Sequence, residues 1–123
     1  MSTIRTNTLS NVAGTQSTAI ENAINGSAKA WVNFNGTGTV AIRASYNVSS
    51  ITDNGTGTYT VNYTTALPDG NYATEVFCNV NINALGWAML ITNAPSTTAT
   101  SVRTFNQSLA ATDCEFVNVA VFR

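Results

Sequence analysis

Histidine is absent from the 123 residues, and Lys, Arg, Asp and Glu together make up only 9% of them. Without imidazole the commonest general base is missing, and nucleophilic sites of the Ser-His or Cys-His kind are excluded. A net charge of −1 gives phosphate backbones and acidic lipid surfaces nothing to hold, so nucleic-acid binding is not expected. No run approaches the roughly 20 apolar residues that cross a bilayer, and no membrane insertion is expected. The start, Met1 to Thr8, has no apolar core of a secretory signal, so synthesis in a cytoplasm is expected. Cysteine is scarce too. Cys78 and Cys114 alone, with no His, cannot build an ordinary zinc site. Two reduced, buried thiols are expected of them, with a disulfide as the alternative. No metal or cofactor is expected.

What replaces charge is neutral polarity: 20 Thr, 16 Asn and 10 Ser. Thr suits strands, and Asn and Ser suit turns, so the mixture describes many short strands with tight connections. One local pattern occurs twice, as Asn35-Gly-Thr-Gly-Thr-Val-Ala-Ile42 and Asn54-Gly-Thr-Gly-Thr-Tyr-Thr-Val61. In each, an Asn-Gly turn signal precedes alternating apolar residues. The alternation predicts one strand over 40–48, with Val40, Ile42, Ala44, Tyr46 and Val48 on its buried face. It predicts another over 58–64, with Tyr59, Val61 and Tyr63 buried. Ser49 to Asp53 reads as a polar connection holding an apolar plug, Ile51. Pro68-Asp69-Gly70 marks a turn.

Further strands are expected at 31–34, at 72–82 and at 101–106. Trp87 to Ile91 reads as a strand buried on both sides, and Phe116 to Phe122 as a central strand with Val117, Val119 and Val121 on one face. About seven or eight short strands at this spacing point to an all-β fold, an antiparallel β-sandwich, jelly-roll-like in winding. Residues 29–123 form this domain. Residues 1–28 form an N-terminal arm, with a short helix expected over 16–25 capped by Ser17 or Thr18. Such a segment cannot bury itself, and it is read as an attachment or oligomerisation arm.

The six carboxylates are the only groups left for acid–base chemistry: Glu21, Asp53, Asp69, Glu75, Asp113 and Glu115. Asp53 and Asp69 lie in turn signals and read as backbone caps. Asp113 and Glu115 read as a solvated edge, and Glu75 as a partner for Arg43 or Arg103. No catalytic residue is assigned, and the chain is not expected to be an enzyme. Trp87, Tyr59, Tyr63 and Tyr72 are the aromatic candidates for stacking on a sugar ring, against the commoner use of such residues in a core or a subunit interface.

The block from Lys29 through both Asn-Gly-Thr-Gly-Thr repeats to Tyr72 resembles a module of tailed-bacteriophage virion proteins. That module recurs at tail-fibre tips and in small appendages of marine and cyanobacterial phages. The leader Ser2-Thr-Ile-Arg-Thr-Asn-Thr-Leu-Ser-Asn-Val-Ala-Gly14 is similar to phage fibre leaders. The resemblance covers residues 2–72 and carries no catalytic or ligand residue. It implies a β-rich homotrimer on the virion, joined to other virion proteins through the arm and adhering to host-surface glycan. Fibres of this kind carry long shafts upstream, and a chain expected to be complete at 123 residues is read as a small tip, a knob or a capsid-decorating protein rather than a whole adhesin. A head fibre, knob or capsid-decorating protein with no receptor is the alternative.

Overall fold

A computed structural model describes residues 6–81, 83–90 and 95–123. Strands occupy 54% of the described residues and helix 6%, so the class is all-β. The arm contains a small hairpin, β1 (Thr8–Ser10) with β2 (Ser17–Ala19), and one helix, α1 (Ile20–Gly26). The helix starts later than the 16–25 pattern predicts, because Ser17 and Thr18 are drawn into pairing with Ser10 and Leu9. Neither caps it; Ala19 stands at the N-cap without a side-chain bond.

The domain runs through β3 (Ala28–Asn35), β4 (Ala41–Tyr46), β5 (Val48–Asp53), β6 (Thr58–Tyr63) and β7 (Ala73–Asn81). It continues with β8 (Ala84–Leu85), β9 (Trp87–Leu90), β10 (Ala99–Phe105) and β11 (Phe116–Phe122). Five strands form one antiparallel sheet, in the order β4-β3-β11-β7-β8, and four form the other, β5-β6-β10-β9. Both sheets feed one core. Ala30, Val32, Phe34, Cys78, Val117, Val119 and Val121 come from the first, or from the turn leading into it in the case of Cys114. Val48, Tyr59, Val61, Tyr63 and Val102 come from the second. Each large apolar side chain so buried contributes roughly 1.5–3 kcal/mol.

Each hairpin of consecutive strands stays within one sheet, and the chain changes sheet between hairpins. This departs from a jelly roll, where consecutive strands mostly lie in opposite sheets. The two repeats close two of these hairpins, β3–β4 and β5–β6. Their second glycines, Gly38 and Gly57, share a left-handed conformation at φ 61° and 64°. At Gly57 a Cβ would also lie 2.5 Å from the Thr104 carbonyl oxygen, so the position is closed to other residues twice over.

The expected strand over 40–48 is in fact two strands in two sheets. Asn47 adopts φ 54° and turns the chain from β4 into β5. Its amide nitrogen donates to the carbonyls of Lys29 (3.0 Å) and Thr65 (3.1 Å), and its Oδ1 accepts from the Thr65 N–H (2.7 Å). A bulge between Asn33 and Phe34 then breaks the alternation of β4, which pairs Ala44 with outward Asn33 but Ile42 with inward Phe34. As an edge strand β4 is exposed throughout, so Ile42, Ala44 and Tyr46 do not enter the core. Ser49 to Asp53, expected as a connection, belongs to β5. Trp87 to Leu90 lies at the edge of its sheet, and Trp87 is exposed rather than buried; Ile91 and Ile82 lie outside the described residues. β11 does take the central place expected of it.

Candidate functional site

Two antiparallel registers place six side chains on the outer face of the five-stranded sheet. Trp31, Ala120 and Glu75 form one row across β3, β11 and β7; Asn33, Asn118 and Phe77 form the next. Their neighbours Ala30, Val32, Val76, Val117, Val119 and Cys78 point into the core, so alternation sends these six outward. The small Ala120 lies between larger flanking residues, and the result is a groove of about 470 Å³. Trp31 is 40% exposed and Phe77 60%, standing at opposite corners. From strand geometry their Cα atoms are separated by about 12 Å.

The floor is polar. Asn33 Nδ2 donates to Asn118 Oδ1 across 2.6 Å, which fixes both amides. That bond leaves Asn33 Oδ1 as an acceptor and Asn118 Nδ2 as a donor without partners among the described residues. Glu75 is exposed and its carboxylate likewise has no partner among them, contrary to the expected pairing with Arg43 or Arg103. Arg43 instead donates to the carbonyls of Glu115 (2.7 Å) and Phe34 (3.3 Å), and its guanidinium lies 4.4 Å from the Phe116 ring centroid. Arg103 sits over Phe105. The site thus combines two aromatic walls, a donor–acceptor floor and one anionic acceptor.

Of the four aromatics expected to stack on sugar, two are structural. Tyr59 and Tyr63 are buried in the core, and burial raises both phenols well above the usual range. The Tyr59 ring meets Phe34 edge-on at 5.2 Å. Its hydroxyl lies 2.8 Å from Asp113 Oδ1 and 3.0 Å from the Gly36 carbonyl, one proton between two acceptors. Asp113 Oδ1 also accepts from the Gly57 N–H at 2.6 Å, so this carboxylate joins the two repeat hairpins rather than lying on a solvated edge. Tyr72 is half-buried, packs edge-on against Tyr63 and donates its hydroxyl toward the carbonyls of Ser96 and Ala99. Trp87 alone of the four is exposed, beside Phe105 on the other sheet. None of the four lines the groove. Trp31 and Phe77 were missed because each sits among core residues in sequence; the signal was their phase, opposite to Val32 and Cys78.

Two further carboxylates serve the backbone. Asp53 accepts from the Gly55 N–H (2.9 Å) and Asp69 from the Asn71 N–H (2.8 Å), as the turn signals predict. Asp69 also pairs with Arg123 at 2.6 Å, which holds its carboxyl below the usual carboxylate range. Cys78 and Cys114 are free and buried with sulfurs 3.4 Å apart. Burial, then the neighbouring thiol, pushes Cys78 up to about 12, so it stays a neutral thiol at physiological pH and no nucleophile. A second concavity, about 460 Å³, is lined by Lys29, Tyr46, Asn47, Leu67, Pro68 and Arg123. There Lys29 bonds to Ile24 and Ser27, and Asn47 and Arg123 are bound as described, so its charged groups and the Asn47 amide are engaged. No group of three potential metal ligands converges among the described residues. No protein-family model, curated protein or solved structure matches the chain.

Proposed function

We propose that the chain is a non-catalytic virion component, a tail-fibre or tail-tip piece that adheres to host-surface glycan through the outer face of its five-stranded sheet. The observation that carries this reading is the groove bounded by Trp31 and Phe77 over the Asn33–Asn118 pair. Aromatic faces pack on the apolar side of a pyranose, while amides and a carboxylate engage its hydroxyls, the mixture that orients a polar ligand in a shallow site. The groove size suits a small-molecule ligand. A homotrimer is part of the proposal, since the thinly charged surface also exposes Tyr46 (58%) and Leu85 (63%), and symmetric neighbours would bury such residues. The arm, with Leu9, Val12 and Ile24 exposed, is the proposed link to other virion proteins.

A glycan array probed with the purified protein tests adhesion. Saturable binding that falls when Trp31 is replaced by Ala is expected; no binding to any glycan, with labelling confined to capsid vertices, overturns it. The second reading is a head fibre, knob or capsid-decorating protein without a receptor, which uses the same exposed apolar arm for attachment and differs in having no glycan site. Size-exclusion chromatography with light scattering tests the assembly: a stable monomer at micromolar concentration overturns the trimer.

A further inference from the structure

We infer that the groove selects neutral or amino-substituted saccharides and rejects acidic ones, with Glu75 as the residue that discriminates. The inference rests on the adhesive reading above and concerns which sugars the same groove accepts. Glu75 shares a row with Ala120 and Trp31, so its carboxylate stands at the rim of the depression that Ala120 leaves. It accepts no hydrogen bond from any described side chain and forms no ion pair among the described residues. A carboxylate in this state takes two hydroxyl donors of a vicinal diol, or an ammonium group, in charge-assisted bonds.

A uronate or sialate seated in the groove would instead bring a second anion within a few ångströms of the first. Among the described residues no cation adjoins Glu75 to offset that repulsion. Arg43 is on β4, three strands from β7, with its head against the Phe116 ring and two carbonyls, and Lys29 is on β3, two strands away, donating to Ile24 and Ser27. The remaining groove groups are neutral amides, aromatic rings and an alanine methyl, none of which carries a charge. Discrimination by charge therefore falls to Glu75.

The test uses the full chain on matched glycan pairs that differ only in oxidation of the C6 hydroxymethyl to a carboxylate, together with amino-sugar counterparts, at neutral pH and low salt. Neutral and amino forms should bind about tenfold or more tightly than their acidic partners. Glu75→Gln should bring the acidic partner to within about threefold of the neutral one. Trp31→Ala and Ala120→Trp, which remove a wall and fill the floor, should each weaken neutral glycans about tenfold or more. If the wild type binds acidic and neutral partners equally, or if Glu75→Gln leaves the preference unchanged while Trp31→Ala abolishes binding, the charge selection is wrong and the groove stands. If binding survives both Trp31→Ala and Ala120→Trp, the groove itself is wrong. Circular dichroism of each variant separates loss of a contact from loss of the fold; all three substitutions lie on the outer face.

Discussion

The outer faces of the two sheets are built from similar residue types and are left in opposite states. On the four-stranded sheet Asn62 donates to Ser50 Oγ (3.1 Å) and Thr52 Oγ1 (2.9 Å), Asn54 donates to Thr60 Oγ1 (2.9 Å), and Thr60 meets Ser101 at 3.3 Å. Those polar groups are engaged with one another across three strands. On the five-stranded sheet the one cross-strand amide pair leaves a donor and an acceptor exposed, beside a carboxylate without a partner and two aromatic walls. A face whose polar groups bond each other stabilises its own sheet. A face that leaves them open gains free energy only when something else completes them. Composition does not separate the two faces; the cross-strand register does.

The largest test of this contrast removes the device that assigns strands to sheets. Asn47→Leu deletes three hydrogen bonds and forces a branched residue into φ 54°. It should cost about 2–4 kcal/mol in urea unfolding, and a cost under about 1 kcal/mol would show that Asn47 does not hold the crossing. Next comes Trp31→Ala, expected to weaken glycan binding about tenfold while costing about 1 kcal/mol of stability, because the ring is partly exposed. Its mirror is Asn62→Ala on the engaged face, which should lower stability by about 0.5–1 kcal/mol and leave glycan binding unchanged. If Asn62→Ala and Trp31→Ala affected binding equally, the contrast between the faces would fail.

The smallest effect concerns the Asp69–Arg123 pair, which lies on neither face and is solvent-exposed. Its folded-state carboxyl titrates below the unfolded value, so its contribution is present above that value and fades as pH falls through the folded one. Asp69→Asn should therefore lower the thermal midpoint slightly at pH 7, and wild type and variant should converge as the solution is acidified below about pH 4. A difference that persists unchanged into acid would show that the pairing contributes nothing.

Much of the architecture was legible because it is local. Period-2 patterns placed Tyr59, Val61 and Tyr63 in β6, and Val117, Val119 and Val121 in β11, with inward faces as observed. Both Asn-Gly-Thr-Gly-Thr repeats turned out to be hairpin turns, and Asp53 and Asp69 cap backbone in theirs. The 40–48 segment misled because one left-handed Asn and one bulge interrupt a pattern that looks continuous on paper. The aromatic candidates misled for a related reason. Residue type identifies a ring that can stack, but Tyr59 and Tyr63 have their rings in the core and Tyr72 is tied to Ser96 and Ala99.

By itself, then, the order of residues determined an all-β chain and its turn chemistry, since both depend on neighbours two to four positions apart, and composition alone determined the low charge. Only the tertiary structure decided that Trp31, Asn33, Glu75, Phe77, Asn118 and Ala120 share one surface. Their positions span nearly ninety residues of chain. What joins them is the pairing of β3 and β7 on either side of β11, a register settled by which faces both sheets bury and invisible in any one strand.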